Sequence, residues 1–202
     1  MRQAVQRRHP GFADRKTGRL RYIEDKELNA VIACACRPLR DAIELAFYTG
    51  QRPSDVLKIM RSDVRDGALW VRQNKTKTPL RIELTGELLE LVIRMTTEMP
   101  TLKPGMVRSG HLVQTENGQA LTYGSLRTRF SKACLAAGVK DFQFRDIRAK
   151  SATDTEEISG FGHAQRLLGH KSRSMTEHYV KDRIGYRVSP TPKQLKTPSK
   201  KK

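Results

Sequence analysis

Leu69-Trp70-Val71-Arg72-Gln73, then Asn74-Lys75-Thr76-Lys77-Thr78-Pro79, then Leu80-Arg81-Ile82-Glu83-Leu84 is the stretch that decides the fold class. Two short runs of strand-forming residues around a Lys- and Thr-rich turn predict a β-hairpin. On either side the apolar period is helical. Upstream, Ile23 to Cys36 opens with Glu24, Asp25 and Glu27, where the helix dipole favours acids. Pro38 separates it from a second helix, Leu39 to Tyr48, with Ala42, Ile43, Ala46 and Phe47 as its apolar stripe and Thr49-Gly50 as its stop. Pro53 suits the first position of a short third helix reaching Ile59, and Asp66-Gly67 turns the chain into the hairpin.

Downstream, helices are expected over Gly86 to Thr96, Tyr123 to Ala137, Arg145 to about Thr155 and Gly162 to Leu168. Between the first two lies a Pro- and Gly-bearing stretch with Leu112-Val113 as a short strand. Ser174 and Glu177 form a capping box for a last helix. Ile184, Tyr186 and Val188 alternate like a strand, and the Pro- and Lys-rich residues 189–202 read as a disordered basic tail.

Charge narrows the partner. Among 202 residues, 39 Lys and Arg stand against 21 Asp and Glu, for a formal charge of +18 and a pI near 10.3. Such a surface attracts a polyanion by releasing its condensed counterions, and nucleic acid is the commonest of these. No run approaches the roughly 18 apolar residues of a membrane span, and the first residues lack the apolar core of a signal peptide. A cytoplasmic protein with no membrane partner is expected. The three cysteines, Cys34, Cys36 and Cys134, lack a second ligand pair at metal spacing and read as buried free thiols.

Four segments carry chemistry-bearing residues: Thr49-Gly50-Gln51-Arg52-Pro53-Ser54-Asp55, Gln73-Asn74-Lys75-Thr76-Lys77, Phe144-Arg145-Asp146-Ile147-Arg148, and Leu167-Leu168-Gly169-His170 followed by Thr176-Glu177-His178-Tyr179. Taken singly, each has a bland reading. Arg52 is a surface residue after a helix stop, Arg148 half of a surface ion pair, His170 a cap, Tyr179 a core aromatic, and Lys75 a solvated turn lysine.

Their order and spacing resemble the catalytic domain of the tyrosine recombinases, in particular the phage integrases, over residues 22 to about 181. In that family the first arginine follows Thr-Gly with an acid three positions later, as Arg52 and Asp55 do. A lysine lies in a hairpin turn, which Lys75 matches in preference to Lys77. A second arginine closes a His-x-x-Arg box, matched by Arg148. A Leu-Gly-His box is followed nine residues on by the tyrosine, matching His170 and Tyr179. The resemblance implies a mainly helical α+β fold with helices around a small antiparallel sheet. It also implies site-specific cleavage and rejoining of DNA through a 3′-phosphotyrosine, without metal or other cofactor.

Residue types fit those roles. Two guanidiniums, Arg52 and Arg148, can hold the non-bridging phosphate oxygens bidentately at any working pH. Tyr179 is the nucleophile, Lys75 the acid for the leaving 5′ oxygen, His170 a hydrogen-bond donor to the phosphate, and Asp55 an orienting carboxylate. One departure stands out: Arg145 occupies the position where the family usually has His, which removes the obvious base for the tyrosine proton.

The family also carries a helical DNA-binding domain ahead of this one. Residues 1–21 are therefore expected to be a basic interdomain linker or arm of a shortened chain, 22–182 the catalytic domain, and 183–188 a strand that docks on a sheet edge. Expected partners are double-stranded DNA and three further copies on it, the free chain being monomeric, with accessory DNA-bending proteins left open. Integration or excision of a phage or mobile element on the bacterial nucleoid is the expected setting. Type IB topoisomerase-like relaxation and a catalytically inactive DNA-binding module are the rival readings.

Overall fold

The computed structural model describes residues 21–99, 101–102 and 104–180, with side chains up to residue 177. The expectations for residues 1–20, the docking strand at 183–188 and the tail at 189–202 lie outside the described residues. Helices α1 (Asp25–Ala33), α2 (Arg37–Thr49) and α3 (Pro53–Val56) precede strands β1 (Val64–Arg65), β2 (Ala68–Arg72) and β3 (Pro79–Glu83). Helices α4 (Gly86–Thr97), α5 (Tyr123–Ala136), α6 (Asp146–Ser159), α7 (Phe161–Leu168) and α8 (Arg173–Val180) follow. This is the expected mainly helical fold around a small antiparallel sheet.

The sheet runs in the order β1-β2-β3. Its first hairpin went unforeseen beyond its turn. Asp66 and Gly67 both take positive φ, 53° and 69°, and so form a two-residue loop whose twist matches the strands and pairs Arg65 with Ala68. The second hairpin pairs Ala68–Arg72 with Pro79–Glu83, one residue ahead of the expected boundaries. Leu112 and Val113 are buried but form no strand; isolated bridges flank them, Met60 with His111 and Gln114 with Ala120.

Helix α2 is the axis of the core: Leu39, Ala42, Ile43, Leu45 and Ala46 are all buried, and it touches α3, α4, α5 and α6. Pro38 does not separate two helices. It sits in the first turn of α2, where its missing N–H costs nothing. Phe130 of α5 packs edge-on against Phe142 and Phe144, closing the core below α6.

Two further expectations fail for local reasons. Helix α8 starts at Arg173, so Ser174 lies inside it, and the Glu177 carboxylate accepts from Arg173 Nε at 3.1 Å instead of closing a capping box. Cys34 and Cys36 are exposed rather than buried, because α1 ends at Ala33 and turns them outward; only Cys134 is inside. No described helix is long and apolar enough to cross a membrane.

Candidate active site

The C-termini of α2 and α7 meet, and both end on a left-handed glycine, Gly50 and Gly169, each with φ 62°. Only glycine takes that conformation cheaply. At Gly50 a Cβ would sit 3.2 Å from Leu168 and 3.3 Å from the Ser151 hydroxyl. At Gly169 it would lie 2.9 Å from the Gln73 amide. These caps end two helices abruptly and leave their last carbonyls, the negative ends of the dipoles, facing one spot.

Arg148 fills that spot. It is only 3% exposed and is the third residue of α6. Its Nη1 donates to the carbonyl of Gly50, and its Nη2 to the carbonyl of Leu168 at 2.8 Å and to His170 Nε2 at 3.0 Å. A guanidinium only donates, so Nε2 accepts. The neutral ring then carries its proton on Nδ1 and donates to Thr176 Oγ1 at 3.0 Å. Burial, with the Arg148 and Arg52 charges beside it, pushes His170 down to about 4.

Arg52 is the N-cap of α3, and its Nη1 lies 3.9 Å from Asp55 Oδ2 without a hydrogen bond. The other Asp55 oxygen, Oδ1, accepts the backbone N–H of Asn74 at 2.9 Å. One buried carboxylate thereby links the first arginine to the hairpin turn. Lys75 and Lys77 are both exposed on that turn, and Lys77 takes φ 56°.

The structure brings together Arg52, Asp55, Arg148 and His170, with the Lys75 turn tied to them. Tyr179 belongs to α8, three residues beyond Thr176, the partner of His170; its side chain lies outside the described atoms. Arg145 stands apart, exposed at the N-cap of α6 and without a hydrogen-bond or ion-pair partner among the described residues. Among the described residues, no three His, Cys, Asp or Glu side chains gather as a metal site.

Three supporting residues were not given a role from the sequence: Gln51, Gln73 and Thr176, all buried. Gln73 had a legible signal. It shares strand parity with Leu69 and Val71, so a polar amide occupies an inward position. Thr176 had none.

Residues 21–184 match the model of the phage integrase family. The integrase of Enterobacteria phage 434 is 33% identical over 172 residues, which are 82% of this chain and 48% of that protein. The chain spans about half the length of the curated relatives it matches. A lambda integrase dimer bound to a COC′ core site superposes with a TM-score of 0.72 at 27% identity, covering 88% of this chain and 65% of that one. A lambda integrase tetramer bound to a Holliday junction gives 0.71 at 25% identity, over 84% and 50% of the two chains. With residues 21–184 matched by the family model and relatives one third identical over most of its length, the chain belongs to the phage integrase family.

Proposed function

We propose that residues 22–182 are the catalytic domain of a site-specific recombinase that cleaves and rejoins double-stranded DNA for a phage or mobile element. The observation that carries this reading is the convergence of Arg52, Arg148 and His170 on the capped ends of α2 and α7, with the Lys75 turn fastened to the same group through Asp55.

In this reading Arg52 and Arg148 take the two non-bridging oxygens of the scissile phosphate, where negative charge grows as the bond breaks. The Tyr179 phenolate, its proton given up to water, attacks phosphorus and forms a phosphotyrosine at the 3′ end while the bond to the 5′ oxygen breaks. Lys75 delivers the proton that the 5′ oxygen needs to leave as a hydroxyl. A 5′ hydroxyl from another strand then reverses the step and frees Tyr179. His170 begins as an acceptor for Arg148; to donate to the phosphate through Nε2, it must gain a proton or exchange tautomers as Arg148 turns to the DNA. Arg145, exposed at the N-cap of α6, stands where the family usually has His, and a guanidinium has no lone pair with which to accept the tyrosine proton.

By analogy with the lambda integrase assemblies, the working form is a tetramer on DNA, and the free chain is a monomer. The site of action is the bacterial nucleoid. The test uses nicked suicide duplexes carrying candidate core sites, with a denaturation-resistant protein–DNA adduct as readout. Wild-type chain should form the adduct, and Tyr179→Phe should lose it while binding DNA nearly unchanged. An adduct formed by the phenylalanine variant removes Tyr179 from its role. Binding without any adduct from the wild type favours an inactive DNA-binding module.

A further inference from the structure

We propose that the buried amide pair Gln73–Gln51 positions Lys75, and that it does so by fastening the hairpin turn to the same carbonyl oxygen that holds Arg148. The proposal rests on Lys75 being the acid for the leaving oxygen, as argued above.

The turn would otherwise be a loose place for such a group. Residues 74–77 project from the end of a narrow hairpin, and Lys75 itself is exposed. Proton transfer requires the donor within about 3 Å of the oxygen it protonates. Backbone bonds close the turn upon itself, Gln73 N–H to Thr78 O at 3.1 Å and Lys77 N–H to Gln73 O at 2.9 Å. They say nothing of where the turn sits relative to the arginines.

The residues on either side of Lys75 supply that reference. Before it, Asn74 is held by its backbone N–H to Asp55 and by its side-chain oxygen, which accepts from Lys58 Nζ at 2.9 Å. After it, the Thr76 hydroxyl donates to Gln73 Oε1 at 2.6 Å. Gln73 is fully buried beneath the turn, and its Nε2 donates to Leu168 O at 2.9 Å and to Gln51 Oε1 at 2.7 Å. Gln51 is fixed in turn, its Nε2 donating to Thr49 O at 2.8 Å and Leu167 O at 3.1 Å.

Leu168 O therefore accepts from Gln73 and from Arg148, using both lone pairs. The acid's turn and the second arginine share one reference atom, at the C-terminus of the helix that precedes His170. Gly169 completes the device: any side chain there would collide with the Gln73 amide, so the glycine admits the tie as well as capping the helix.

The merely architectural alternative is that two glutamines fill a polar hole. A readout specific to the acid separates the two. On DNA whose leaving 5′ oxygen is replaced by sulfur, the thiolate departs without a proton, so only defects in delivering that proton are rescued.

Cleavage by Gln73→Met, close in size but without the amide, should fall on the order of 100-fold on ordinary DNA, the cost of a misplacement of about 1 Å. On the sulfur substrate it should return to within about threefold of wild type, since the acid is then dispensable. Thr76→Val cuts the link from the turn to Gln73, together with the bond Thr76 accepts from the Thr78 hydroxyl, at a half-exposed site that leaves the buried pair intact, and should show the same rescue. It serves if Gln73→Met proves unfolded by circular dichroism.

Lys75→Ala run alongside tests the underlying reading. If it is not rescued by sulfur, the assignment of the acid is wrong. If Lys75→Ala is rescued but the folded Gln73→Met and Thr76→Val are equally impaired on both substrates, or unimpaired on both, the positioning role is overturned.

Discussion

His170→Gln should abolish a specific part of the protein's acid sensitivity. The ring is 6% exposed, faces Arg148 at 3.0 Å, and is pushed from 6.5 in an open chain down to about 4. Between those two values the unfolded chain binds a proton that the folded chain refuses, so stability rises with pH there. The contribution is complete above pH 6.5 and erodes as the pH falls, at about 1.4 kcal/mol per pH unit. Near pH 4 roughly 3 kcal/mol has gone, a large share of the stability of a domain this size. Glutamine keeps a polar group against Arg148 but does not titrate. Urea unfolding followed by circular dichroism at several pH values between 7.5 and 5 measures the effect. Carboxylates held low by their partners, such as Glu27 beside Arg21 and Glu116 beside Arg129, also lose stability in acid. They act alike in both proteins and cancel in the difference. Wild type should lose about 2 kcal/mol more than the variant between pH 7.5 and 5. Parallel curves for the two proteins would refute both the neutral ring and its hydrogen bond from Arg148.

Two further outcomes are expected. Arg145→His should preserve or raise the cleavage rate in single-turnover assays, because it restores a group able to accept a proton near neutral pH; a large loss would mean Arg145 makes an essential contact. Truncation after Lys181 should alter how cleavage is coordinated between protomers, with little change in thermal melting, because it removes the apolar strand of Ile184, Tyr186 and Val188 expected to join a sheet edge. Unaltered cleavage and recombination together would sink the docking strand.

Much of this was legible in the sequence because periodicity and punctuation are local. Leu69 and Val71 against Leu80 and Ile82 fixed the hairpin, and the glycines after Thr49 and Leu168 marked helix ends that the structure confirms as left-handed caps. The family motifs then placed Arg52, Asp55, Arg148 and His170, which do assemble. What stayed hidden depends on contacts far apart in the chain. The Gln51 and Gln73 amides meet across the gap between α2 and β2, and their value lies in carbonyls of α7 more than 90 residues away, which no local pattern encodes. The exposure of Cys34 and Cys36 depended on where α1 stops. Ser174 looked like a cap because Glu177 stood three residues on, but Arg173 is a better partner for that carboxylate.

The site's electrostatics follow from that architecture. A phosphate arriving at two arginines gains most if their charge has not already been cancelled, yet a guanidinium buried like that of Arg148 needs hydrogen bonds to be tolerated at all. Carbonyls at the ends of two helices meet both demands: they accept the N–H groups and stabilise the cation through dipoles, while carrying no net charge to neutralise it. Asp55 is the carboxylate beside the first arginine, and its geometry limits the same problem. It lies 3.9 Å from Arg52, and one of its oxygens is spent on Asn74. His170 fits the pattern too: burial, with the Arg148 and Arg52 charges beside it, disfavours a second cation and keeps the ring neutral near pH 7. The described contacts of Arg148 are thus two helix-end carbonyls and a neutral ring, and in the proposed reading the scissile phosphate enters beside them.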